Sequence, residues 1–142
     1  MKCRTTLWDS EQVNADVYES GCPSRQVLDR IGDTWSVLIV GALAGGPRRY
    51  SELAARIQGI SPKMLTQTLR GLERDGMISR TVFPVVPPRV DYALTDLGSS
   101  LLGLVSALET WAQAHISDVA QARAAYDLRA AAAPGTAAPA RA

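Results

Sequence analysis

Along residues 61–76 the apolar and polar positions sort onto opposite sides of a helix. Leu65, Leu69 and Leu72 recur at i, i+4 and i+7. The other side carries Lys63, Thr66, Gln67, Arg70 and Arg74, with no acid among these five. Ser61 has the hydroxyl of a helix cap, Pro62 suits a first turn, and Gly76 can take the left-handed conformation that closes a helix. The pattern predicts one helix with a face to bury and a cationic, hydrogen-bonding face turned outward. The acceptor-rich major groove of DNA suits that face, and so, less specifically, does water.

The same periodicity runs upstream. Cys22-Pro23-Ser24 starts a helix with Val27, Leu28 and Ile31 on one side, and Gly32 stops it. Asp33 can cap the next helix, where Trp35, Leu38, Ile39, Ala42 and Leu43 fall at helical spacing before Gly45-Gly46-Pro47 ends it. Ser51 is the expected cap of a short helix with Leu53 and Ile57 facing inward, and Gly59 sits in the turn that follows. Two short helices across a glycine-bearing turn, the second with a cationic outer face, form a helix-turn-helix pattern. An ordinary helical hairpin has the same outline.

Downstream the period changes to two. Residues 78–83 and 89–94 read as strands, Val90, Tyr92 and Leu94 alternating with Arg89, Asp91 and Ala93. Pro84-Val85-Val86-Pro87-Pro88 between them makes a stiff projecting loop, because prolines cannot donate to a ladder. A hairpin in this place is a wing, its tip within reach of a minor groove. Arg89 at its base is the side chain expected there, or else a charge that discourages edge pairing. Thr95-Asp96 caps a last long helix, in which Leu97, Leu101, Leu104, Val105, Leu108 and Trp111 keep a helical period to about residue 118. Its apolar face exceeds what the winged unit needs. A second copy of the chain is the economical cover, and the chain's own N-terminal arm is another.

These elements give a mainly α fold with a small β-hairpin wing (α+β). Residues 1–21 form an arm, with a short helical or extended piece around residues 13–18. Residues 22–120 form the winged helix-turn-helix domain with its dimerisation helix. Residues 121–142 are an extension, patternless and disordered from about residue 130. The chain of 142 residues suits one core. No apolar run approaches the roughly 20 residues that span a bilayer, and the N-terminus lacks a signal-peptide pattern, so a cytoplasmic protein without membrane contact is expected.

Net charge is only +1, but residues 48–92 hold eight bases against four acids, a local +4. Positive charge is thus concentrated where a phosphate backbone would need it. There are two cysteines, Cys3 and Cys22, and one histidine, His115, in no metal-binding spacing, so no metal or other cofactor is expected. Two cysteines in a reducing compartment are not expected to form a permanent staple. No Ser-His-Asp set, paired-carboxylate motif or phosphate-binding glycine loop supports an enzyme. A thiol peroxidase would need support for Cys22 that the sequence does not supply.

Several motifs occur together in order: Cys22-Pro23, Ile31-Gly32-Asp33-Thr34-Trp35, Arg49-Tyr50-Ser51-Glu52-Leu53, Ile60-Ser61-Pro62-Lys63-Met64-Leu65-Thr66-Gln67, Leu72-Glu73-Arg74-Asp75-Gly76, and Val86-Pro87-Pro88-Arg89-Val90-Asp91-Tyr92. With them the chain resembles the HxlR-type winged helix-turn-helix transcriptional regulators, a branch close to the MarR-like repressors. The resemblance implies a homodimer joined through its terminal helices, and a sequence-specific regulator, in the main a repressor, of a pseudo-palindromic operator in double-stranded DNA. It places the recognition helix in the major groove and the wing in the flanking minor groove. Carried onto this sequence, Ser61, Lys63, Thr66, Gln67 and Arg70 face DNA. Gln67 is suited to an adenine edge, and Arg70 to guanine or phosphate. Ser61 and Lys63 suit a phosphate at the helix start, and Arg49, Arg80 and Arg89 are further contacts.

Cys22 precedes a helix start, where the partial positive charge favours thiolate. The resemblance implies a redox or electrophile sensor at this place, with Cys3 as a candidate resolving partner. A small, half-buried packing thiol is the plainer reading. A small-molecule effector lodged among Trp35, Trp111, Tyr18 and Tyr126 is the other possible input. The rival to a DNA-binding regulator is a winged-helix module that docks a protein through the same polar helix face.

Overall fold

The structure is a computed structural model that describes residues 16–132. In chain order the elements are α1 (Pro23–Gly32), α2 (Thr34–Ala42), β1 (Arg48–Arg49), α3 (Tyr50–Arg56), α4 (Pro62–Arg74), β2 (Ile78–Phe83), β3 (Arg89–Leu94), α5 (Asp96–Ser99) and α6 (Leu102–Ala132). Chain contacts divide it into two compact units, Met1–Val105 and Ser106–Ala142.

Local chemistry sets most boundaries in the first unit. Asp33 accepts from the Ser36 amide and so caps α2. Ser61 Oγ accepts from the Met64 amide at 3.1 Å, with Pro62 in the first turn of α4. Gly59 (φ 86°) makes the turn between α3 and α4, and Gly76 (φ 77°) ends α4, as the sequence predicts. Strands β2 and β3 pair antiparallel with Ile78 opposite Leu94 and Phe83 opposite Arg89. They span the predicted residues. β1, which the sequence reading missed, adds Arg48 and Arg49 opposite Tyr92 and Asp91, giving the order β1-β3-β2.

The core gathers Ile39, Val40 and Leu43 of α2 and its end, Leu53 and Ile57 around α3, Leu65, Leu69 and Leu72 of α4, then Met77, Ile78 and Val105. All three predicted leucines of α4 are buried. Burying each contributes about 1.5–3 kcal/mol. On the same helix, Thr68 is buried with its hydroxyl donating to the Met64 carbonyl. Arg30, in the last turn of α1, lays its guanidinium across Gly71. A Cβ there would lie 2.4 Å from Arg30 Cζ. Arg30 Nε also pairs with Asp75 Oδ2 at 3.0 Å, at the end of α4. A partly exposed pair of this kind is worth about 1 kcal/mol or less. The leucines therefore hold α4 down, and the ion pair fixes its C-terminal end against α1.

Four expectations need correction. α3 begins at Tyr50 with Arg49 at its cap position, so Ser51 lies inside the first turn and is not the cap. Arg49, extended in β1, takes the cap position two residues before the expected one. On α2 the buried positions are Ser36, Ile39 and Val40, while Leu38 is exposed and Trp35 only packs against the core. α2 is apolar nearly all round, so its period does not choose a face. Thr95 caps only the four residues of α5, its Oγ1 accepting from the Gly98 amide, and a separate helix starts at Leu102. Finally, α6 continues to Ala132, past residue 118 and through residues 130–132. Its alanine-rich end has high helix propensity.

Of the arm, residues 16–21 form turns without a strand or helix. Residues 13–15 of its expected ordered piece, and the tail beyond Ala132, lie outside the described residues. In the second unit, α6 stacks Trp111 on His115 with ring centroids 4.6 Å apart. No helix among the described residues is long and apolar enough to cross a membrane.

Two glycines give opposite predictions. A Cβ on Gly98 would lie 1.9 Å from the Met77 carbonyl oxygen, whereas one on Gly103, in the first turns of α6, meets nothing within 4 Å. Gly98→Ala should cost on the order of 3 kcal/mol and lower the thermal midpoint by roughly 10 °C or more. Gly103→Ala should be neutral or stabilising by up to about 1 kcal/mol. Thermal melts of the two variants check this, and equal effects would refute the packing described.

Candidate nucleic-acid interface

The outward face of α4 presents Lys63, Gln67 and Arg70, all exposed, with Thr66 half-buried beside them. Among the described residues, the side chains of Lys63, Gln67, Arg70 and Arg80 make no hydrogen bond or ion pair. Their donors are therefore available to a ligand. The Tyr50 hydroxyl donates to the Pro62 carbonyl at 3.2 Å and fixes the start of α4 against α3. Ser61 spends its acceptor on the Met64 amide and keeps its hydroxyl proton for another partner.

Helix and hairpin meet in a groove. Thr66, Arg70 and Glu73 of α4 line it with Arg80 of β2 and Tyr92 of β3, around about 290 Å³. Thr66, Arg70 and Arg80 from the predicted set thus converge. Ser61 and Lys63 sit apart at the start of α4. Glu73 and Tyr92 were not anticipated as lining residues. Glu73 could have been found, since it lies at i+7 from Thr66 and i+3 from Arg70 on the same helix side. An acid there accepts hydrogen bonds, as from a cytosine amino group, and repels phosphate.

Arg49 and Arg89 lie elsewhere, around Asp91. Arg89 donates to both Asp91 oxygens, Nε at 2.9 Å and Nη2 at 3.1 Å, and its Cζ lies 5.4 Å from the centre of the Phe83 ring. These hydrogen bonds, and then Coulomb attraction to Asp91, raise the Arg89 pKa. The hydrogen bonds from Arg89 hold the Asp91 carboxyl below its ordinary value, with Arg89 and Arg49 adding Coulomb support. The pair therefore stays ionised at neutral pH, and Asp91 engages Arg89 in the unbound chain. Arg48 is likewise engaged, with the Ala42 carbonyl at 3.2 Å and with Glu52 at 3.5 Å.

Cys22 occupies the cap position of α1 and is fully buried. It is disulfide-bonded, with Sγ 3.3 Å from Glu19 Oε2. Its bonded state differs from the expectation that the cysteines form no lasting staple. Cys3, the only other cysteine in the sequence, lies outside the described residues. The first unit has a small cavity of its own. That cavity is lined by Arg30, Val40, Leu72 and their neighbours and holds about 10 Å³, room for about one water. Tyr18, Trp111 and Tyr126 are exposed, and Trp35 packs on the core. Among the described residues no three His, Cys, Asp or Glu converge as metal ligands.

A three-helix core, a second helix-turn-helix member with a free cationic face, and an antiparallel hairpin beside it define a winged helix-turn-helix protein. The model of the HxlR-like helix-turn-helix family matches residues 30–120, and the chain belongs to that family. It is 43% identical over 108 residues to YtfH of Escherichia coli strain K12, an uncharacterised HTH-type transcriptional regulator, covering 76% of this chain and 86% of that one. The solved ytfH protein of Salmonella typhimurium superimposes with a TM-score of 0.72 at 41% identity, over 79% of this chain and 98% of that chain. The redox regulator HypR in its oxidised form superimposes with a TM-score of 0.61 at 35% identity, over 66% and 96%. The chain is accordingly a DNA-binding transcriptional regulator of that family.

Two substitutions on α4 should behave differently. Lys63→Ala should weaken binding to all DNA sequences about equally and lower the salt slope by about 1. Gln67→Ala should relax preference at one base pair, by about 1–3 kcal/mol of discrimination. Competition binding against a panel of single-base operator variants at several salt concentrations measures both. If neither substitution changes affinity, the face is wrongly assigned.

Proposed function

We propose that the chain is an oxidant-responsive repressor that binds a pseudo-palindromic operator as a homodimer. The observation that carries the DNA side is the unpaired polar face of α4 beside the Arg70–Arg80 groove. Lys63, Ser61 and Arg80 hold phosphates, while Gln67 and Arg70 read base edges. Arg49 adds backbone contact from the β1 edge. Dimerisation is supported by apolar side chains left exposed on α1 (Val27, Leu28) and on α6 (Leu104, Leu108, Trp111, Ile116). A second copy buries such apolar side chains, and the operator then takes two α4 helices one DNA turn apart, about 34 Å.

The disulfide at Cys22 supports a redox input, as does similarity to a redox regulator solved in its oxidised form. Forming a disulfide from two thiols gives up two electrons and two protons to a two-electron oxidant. Cys3 is the candidate partner, within the chain or across the dimer. Cys22 stands at the cap position of α1, and eight residues on, about 12 Å along that helix, Arg30 grips Gly71 and Asp75 of α4. A shift of α1 on oxidation is thereby passed to the recognition helix.

The experiment is a mobility shift on the DNA upstream of the chain's own gene, with nonspecific competitor and with increasing diamide. The reading expects selective, salt-sensitive binding that diamide weakens in the native chain but not in Cys22→Ser. Equal affinity for operator and competitor would instead favour a protein-docking module. A Cys22→Ser chain that still responds to diamide would remove Cys22 as the sensor.

A further inference from the structure

Residues 81–88, Thr-Val-Phe-Pro-Val-Val-Pro-Pro, carry no charge. They are nevertheless the most projecting part of the hairpin. Val86 is 100% exposed, Val82 52%, Val85 51% and Phe83 39%. Pro84, Pro87 and Pro88 lack amide donors, so the backbone of the tip offers little to a phosphate. The nearest cation, Arg89, is neutralised by Asp91 and lies over the Phe83 ring. A wing tip that gripped phosphate would need free cations or amides, and this one has a cluster of exposed aliphatic carbon.

Its position relative to the groove indicates what it meets. Five strand steps from Ile78 to Phe83, at about 3.3 Å each, carry the tip about 17 Å from the foot of the hairpin. That is half of the roughly 34 Å repeat of DNA, the distance from a major groove to the adjoining minor groove. Arg80 and Tyr92, paired across the hairpin, line the groove shared with α4, so the strands that carry the tip start beside the cationic helix face. In the minor groove an apolar tip meets deoxyribose carbon and, where a base step opens, the faces of the bases.

We propose that the wing is an apolar wedge, led by Val86 with Val85 and Phe83 behind it. It enters the minor groove beside each α4 and favours flexible pyrimidine–purine steps, bending the operator away from the wedge. The inference rests on the DNA-binding reading above and adds a specificity determinant that makes no charged contact. Selection there comes from the ease of deforming the DNA, since flexible steps open at lower cost than stiff ones.

The test uses the full chain and the footprinted site upstream of its own gene, with the wing-contacted step changed from TA to a stiff A-tract or GC step. Bending is read by end-to-end energy transfer and affinity by titration at several salt concentrations. The native chain should prefer the TA step by about tenfold. Val86→Ser should reduce that preference to within about twofold and reduce the bend, while leaving the salt slope and thermal midpoint unchanged. Arg80→Ala is the contrast, lowering the salt slope by about one and keeping the step preference. An unchanged bend and preference in Val86→Ser overturns the wedge. So does a changed sedimentation of Val86→Ser, which would assign the tip to a second copy. A native chain without selective DNA binding overturns the underlying reading as well, and that result is seen before any variant is made.

Discussion

The polar face of α4 is usable only because its other face is held. Leu65, Leu69 and Leu72 are each 1–2% exposed and lock the helix to α2, α3 and Met77. That burial is worth several kcal/mol, far more than any polar contact the helix makes inside the protein. It therefore fixes which residues face out. The smaller interactions then adjust the ends. The Tyr50 hydroxyl holds the start of the helix, and Arg30, resting on Gly71 and paired to Asp75, holds its end. A helix held this way loses little further freedom on binding, so less of its contact energy is spent on ordering.

The charge distribution then divides the labour across one continuous surface. Free cations and amides lie on α4 and at Arg80, while the hairpin base cancels its own charge through Arg89 and Asp91. Unpaired positive charge is thus concentrated along α4 and fades toward the wing. Glu73 shares the groove with Arg70 and Arg80 and adds a carboxylate, which repels phosphate and can accept a hydrogen bond.

Features decided by neighbours in the chain were legible from the sequence. Ser61, Pro62 and Gly76 mark the ends of α4, Gly59 the turn before it, and alternation marks β2 and β3. The family and the fold class were legible too, because ordered motifs carry them. Features decided by distant residues were not. The burial of Val40 in preference to Leu38 depends on what α2 packs against, since α2 is apolar on every side. β1 is two residues long and exists only through pairing with β3. The break between α5 and α6 accompanies the close seat of Gly98 on the Met77 carbonyl, a contact 21 residues apart in sequence. The capture of Arg89 by Asp91 spans two residues along one strand, where alternation puts both on the same face, and it was available to a reader who asked which acid would claim it.

Methylation interference on the chain's own operator tests the central claim most directly, because dimethyl sulfate marks guanine N7 in the major groove and adenine N3 in the minor groove. The account predicts loss of binding from N7 methylation in two patches about one helical turn apart, flanked by sensitivity at N3 where the wings enter. Binding that tolerates N7 methylation throughout would show that α4 does not occupy the major groove and would contradict the account.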